Sequence, residues 1–170
     1  MIFTLIADYF MVALEEADNL TGVTVFLGTQ LFIFLHIMVN DTDRKSRVAN
    51  IVIRVFLMAV IALAVPLVLG EDGDLLSLLS VIYFANLCVN TIFAHRIGRG
   101  GMLLTLGLFL FALCDINVGL SGLNSIYTGG LPEVSLLYKL ANAEVDLIWV
   151  FYIPSQTLIP MTLLYKQKNK

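Results

Sequence analysis

Apolar residues fall in unbroken blocks along this chain, not at every second position or every third and fourth. Six blocks stand out: Met1–Leu14, Gly22–Val39, Ala49–Leu69, Leu75–Ala94, Gly101–Ser121 and Leu147–Tyr165. Each of the last five is long enough to cross a bilayer, which takes about 20 apolar residues. Asn40–Arg47, Gly70–Asp74 and Arg96–Gly100 are short polar connectors between them. Backbone groups in lipid must be satisfied within their own segment, so such blocks predict helices. The expected fold is all-α: a single-domain polytopic membrane helix bundle with six spans.

Composition agrees. The 170 residues are 59% hydrophobic and 14% charged, with a mean hydropathy of +0.90. Soluble domains run near half apolar and about a quarter charged. Cys88 and Cys114 lie inside apolar blocks without metal-ligand spacing, which argues against a disulfide framework or a zinc site. No basic stripe runs outside the short connectors, so nothing points to nucleic acid.

The net charge of −3 hides a segregation of signs. Glu15, Glu16 and Asp18 follow block one, and Arg44, Lys45 and Arg47 follow block two. Glu71, Asp72 and Asp74 come next, then Arg96 and Arg99. The long connector Gly122–Val145 and the adjoining Asp146 carry three acids and the single cation Lys139, and the chain closes on Lys166, Lys168 and Lys170. Basic residues stay on the cytoplasmic side of short loops. Six spans with both termini cytoplasmic place every basic cluster inside, in a multi-pass protein of the cell membrane. Within the long connector, Pro132 opens a stretch through Ala143 whose Leu136, Leu137 and Leu140 share a face, as in an interfacial helix.

Block one is short: its residues rise only ~21 Å as a helix, against a ~30 Å hydrocarbon core. It has no basic leader and no small-residue cleavage site. A span whose beginning lies upstream of Met1 is the simpler expectation.

Two ionisable residues stand out inside spans, Asp8 and Asp115. A charge at the bilayer centre costs at least ~2.5 kcal/mol and marks a functional site by default. Counted from the outer ends of their blocks, both lie ~10 Å deep on a helix rising ~1.5 Å per residue. Gln30, Tyr83, Tyr152 and Gln156 fall near the same level. Buried polar groups need partners in lipid, and a shared pocket is the cheapest arrangement. Tyr83 and Tyr152 are equally consistent with packing, and Gln30 with a bond between helices. His36 and His95 sit toward the cytoplasmic ends of their blocks, as interfacial residues. Arg54 lies close enough to the basic connector to snorkel back. Asn86 and Asn90 share a face below Tyr83, either extending the pocket or bonding to neighbouring helices.

An ordered set of segments resembles the lysoplasmalogenase-like (YhhN) family of membrane proteins. LIADYFMV around Asp8 resembles that family's Gly-Asp-x-x-Leu segment, and GVTVFLGTQ, with Gly22, Phe26 and Gln30, its Gly-x-x-x-Phe-x-x-x-His/Gln helix. VIYFANLCVNTIFA resembles its tyrosine-containing helix. LFLFALCDINVGL around Asp115 resembles its Phe-x-x-Ser-Asp segment, and WVFYIPSQTLI, with Tyr152 and Gln156, its Tyr-Tyr-x-x-Ala-Gln segment. Ala7 and Cys114 stand where the family has glycine and serine. Family members typically have two further spans before the first aspartate helix, in line with the short block one.

The resemblance implies hydrolysis of the vinyl-ether bond of a membrane lipid, lysoplasmalogen, to a fatty aldehyde and a glycerophospho-alcohol. Asp8 and Asp115 would then be the acid/base pair, with Gln30, Tyr83, Tyr152 and Gln156 around the substrate. That chemistry needs no metal and no other cofactor. Intramembrane carboxylates also build proton relays, so a proton-coupled transporter is an alternative. No inverted repeat or matching pair of broken helices supports it. A non-catalytic membrane subunit, its aspartates paired with a partner's cations, is another.

Overall fold

A computed structural model describes residues 2–10, 19–69, 74–98, 100–126 and 147–167. The stretch 132–143, expected as an interfacial helix, lies outside them. Among the described residues the chain is an all-α bundle without strands: α1 (Ile2–Asp8), α2 (Asn19–Asn40), α3 (Arg44–Leu69), α4 (Leu75–Ala94), α5 (Gly101–Ile126) and α6 (Leu147–Gln167). Four of them, α2 to α5, are long and apolar enough to cross a membrane. Large apolar side chains such as Val55, Phe56, Leu63 and Leu67 of α3 face outward. Soluble proteins rarely leave so broad an apolar surface bare, and a lipid environment removes its cost. The chain is a membrane protein built of helices.

Short polar signals set the helix ends. Asp41 Oδ1 accepts the Asp43 backbone N–H at 2.9 Å, and Asp43 Oδ1 accepts that of Lys45 at 2.9 Å. These bonds cap α3 and let it start at Arg44, five residues before the apolar block Ala49–Leu69. Asp74 caps α4 in the same way, accepting from Ser77 N–H at 2.7 Å. Between α4 and α5 the chain turns through a 3₁₀ segment, His95–Ile97. Gly98 and Gly100 follow at φ 74° and 88°, in the left-handed region that favours glycine.

Helix α4 is central, packing on α2, α3 and α5, while α1 lies on α2 and α6 lies along α5. Contacts give the directions. Phe26 meets Tyr83 and Gln30 meets Asn90, so α2 and α4 run parallel. Gly100 approaches Thr162, Gly107 approaches Ile159 and Phe111 meets Tyr152, so α5 and α6 run antiparallel. The α5–α6 approach is close: a Cβ on Gly107 would lie 2.9 Å from Ile159 Cγ1. The turns Asp41–Asp43 and His95–Gly100 therefore sit at one end of the bundle, with Asp74 at the other.

Candidate functional site

Both aspartates are held by tyrosines from other helices. Tyr83 of α4 is buried and donates its hydroxyl to Asp115 Oδ2 of α5 at 2.6 Å. Tyr152 of α6 donates its hydroxyl to Asp8 Oδ2 at the end of α1. Each carboxylate is half-buried and leaves Oδ1 free of hydrogen bonds among the described residues. An apolar wall with one phenol donor and one open oxygen suits a carboxyl that must exchange a proton.

Aromatic rings tie the two pairs together. Tyr83 packs against Phe26 at 5.7 Å between ring centroids, Phe26 against Phe111 at 5.7 Å and Phe111 against Tyr152 at 5.9 Å. Trp149 closes the row, edge-on to Tyr152 at 5.7 Å. Tyr152 is within electrostatic range of Asp115 as well as Asp8. The row thus joins α4, α2, α5 and α6, and through Tyr152 reaches α1. Cys114, the neighbour of Asp115, is buried. Gln156 lies one turn beyond Tyr152, half-buried, and makes no hydrogen bond to either aspartate.

Gln30 does not join this layer. Its Oε1 and its backbone carbonyl both accept from Asn90 Nδ2, at 2.8 and 3.0 Å. Asn90 in turn belongs to a second polar cluster around Arg54. Contrary to the snorkelling expected from its place near the basic connector, Arg54 is 7% exposed. Its Nε donates to Asn50 Oδ1 at 2.8 Å. Its Nη1 donates to Asn86 Oδ1 and its Nη2 to Asn90 Oδ1, each at 2.5 Å. The guanidinium carbon stands 4.4 Å from the centre of the Phe34 ring. Fixed amide oxygens on α3 and α4 hold the cation inward, so the side chain has no reason to extend to the interface. The sequence carried a signal for this: Asn50–Arg54 and Asn86–Asn90 are both four apart, on facing helices.

His36 and His95 bond within their own helix ends, to Asn40 at 3.3 Å and to the Ile92 carbonyl at 2.7 Å. No protein-family model, curated protein or solved structure matches this chain. The family resemblance rests on the order of its motifs alone.

Proposed function

We propose that the chain is a membrane hydrolase that cleaves the vinyl-ether bond of lysoplasmalogen-type lipids, with Asp8 and Asp115 as its acid/base pair. The observation that carries this reading is the pair of aspartate–tyrosine hydrogen bonds set on one row of rings. One aspartic acid protonates the outer alkene carbon of the vinyl ether. The resulting oxocarbenium ion is stabilised by the second carboxylate, which also directs a water to it. The water adds to the carbon bearing the ether oxygen and returns a proton. The hemiacetal then collapses to a fatty aldehyde, and the glycerol oxygen leaves as an alcohol. Tyr83 and Tyr152 fix the orientation of the carboxyls, and Gln156, one turn from Tyr152, faces the substrate's polar part. The aromatic row gives the alkenyl chain an apolar wall. In this reading the chain crosses the cell membrane six times, with both termini cytoplasmic.

The test is aldehyde release from lysoplasmalogen by purified protein in detergent. Asp8→Asn and Asp115→Asn should each lower it at least 10²-fold, the scale of a lost general acid or base. Retention of activity in both single variants overturns the assignment. Proton-driven flux in liposomes without aldehyde would favour a carrier instead.

A further inference from the structure

The Arg54 cluster plays no part in the proposed hydrolysis, and its hydrogen bonds do not close on themselves. A guanidinium has five N–H donors. Asn50, Asn86 and Asn90 take three. Two remain, one on each terminal nitrogen. Asn50 Nδ2 and Gln30 Nε2 are buried without a partner, on residues each 1% exposed. All four amide oxygens of the cluster, on Gln30, Asn50, Asn86 and Asn90, already accept a bond. The cluster therefore holds a surplus of donors and a full positive charge. No carboxylate pairs with Arg54 among the described residues. A buried cation without a counter-ion is costly, and a group that only accepts and is negative would satisfy it.

Room for such a group lies beside it. A cavity of about 320 Å³ opens between α2, α3 and α4, with Arg54 and Asn86 in its wall. Ligand pockets start at about 300 Å³. Its other walls are apolar, from Leu27, Leu31, Met58 and Ile82. Leu31 and Met58 are 55% and 40% exposed, so its mouth opens sideways on the apolar surface of the bundle.

We infer that this cavity is a binding site for a single-chain anionic amphiphile, its phosphate or carboxylate bonded to Arg54 and its chain lying along α2 and α3. Charge complementarity selects the head, the apolar walls select the tail, and the sideways mouth admits it from the lipid phase. The guanidinium's two open N–H groups offer the donors an oxyanion needs, while the asparagine oxygens hold Arg54 in place. The site is separate from the aspartates and stands whether or not they hydrolyse anything.

The experiment measures equilibrium binding to the full chain in neutral detergent. Three probes are compared: oleoyl lysophosphatidate, monoolein with the same chain and no charge, and inorganic phosphate. None contains a vinyl ether, so the outcome is independent of the hydrolase reading. Lysophosphatidate should bind at least tenfold tighter than monoolein, with inorganic phosphate far weaker than either. Arg54→Gln should abolish the preference over monoolein. Gly28→Leu tests the cavity without touching the polar cluster. Gly28 lines the cavity, and an added Cβ there meets nothing within 4 Å. Filling the space should weaken lysophosphatidate binding at least tenfold, which keeps the proposal testable if Arg54→Gln does not fold. Equal binding of the charged and neutral chains overturns it. So does inorganic phosphate binding as tightly as the lipid, or full lipid binding by Gly28→Leu.

Discussion

Tyr83 shows how one side chain serves packing and chemistry at once. Its ring fills the centre of the bundle against Phe26, and its hydroxyl holds Asp115. Tyr83→Phe keeps the first and deletes the second. Loss of one hydrogen bond should cost about 1 kcal/mol of stability. If Tyr83 positions the carboxyl, kcat for aldehyde release should fall about tenfold, equivalent to ~1.4 kcal/mol in the barrier, with KM nearly unchanged. Steady-state kinetics on the purified variant isolate the role of the hydroxyl, because the phenylalanine ring keeps the packing against Phe26. Counting residues at a fixed rise groups Asp8, Asp115, Tyr83 and Tyr152, and the structure pairs Tyr83 with Asp115 and Tyr152 with Asp8. Gln30 and Arg54 depart from that grouping for two reasons. Phe26, not Gln30, is the α2 residue level with Tyr83, and Gln30, one turn further on, meets Asn90 about two turns past Tyr83. Depth also says nothing about which way around a helix a side chain points. Arg54 points inward because Asn86 and Asn90 on a distant stretch of sequence meet it there.

At the scale of the helices, the α5–α6 contact sets where Tyr152 stands. Gly107 allows it: a Cβ there would also lie 3.2 Å from the Ile159 backbone nitrogen, which cannot move aside alone. Gly119, on the same helix, has nothing within 4 Å of the added atom. Gly107→Ala should destabilise by about 1–3 kcal/mol through overpacking. Gly119→Ala should be neutral or stabilise by up to about 1 kcal/mol, the helix-propensity gain over glycine. Denaturant titration of both variants in one detergent reads the contrast. The helix ends make a second, pH-dependent case. The Ser77 hydroxyl and then its backbone N–H hold the exposed Asp74 carboxyl below its usual range. A depressed folded-state pKa contributes stability above the unfolded value near 3.8, lost as pH falls through the folded one. Acidification below pH ~4 should therefore lower the unfolding midpoint of the native chain by more than that of Asp74→Ala. Helix positions were legible because apolar block length fixes them. The early start of α3 was not, since its capping bonds come from the polar turn and carry no hydropathy signal.

For the whole molecule, the parallel course of α2 and α4 has a consequence for orientation. It puts Arg44, Lys45 and Arg47, which follow α2, at the same end as Arg96, which follows α4. Arg44, Lys45 and Arg96 are exposed there. Alternation of charge along the sequence had suggested this grouping, but only packing puts the two turns on one face. Retention of cations on the cytoplasmic side then acts on both turns together. A cysteine at Thr42 or Gly98 should react with an impermeant thiol reagent only in inside-out vesicles, and one at Asp74 only in right-side-out vesicles. Buried Cys114 and half-buried Cys88 give a low background. Neutralising Arg44, Lys45, Arg47 and Arg96 together should mix the two orientations, whereas removing Arg96 alone should leave the labelling side unchanged because the first turn still carries three cations. Labelling of Thr42→Cys and Asp74→Cys from the same side would mean that α3 does not cross the membrane. The proposed level for Asp8 and Asp115 would then lose its reference plane.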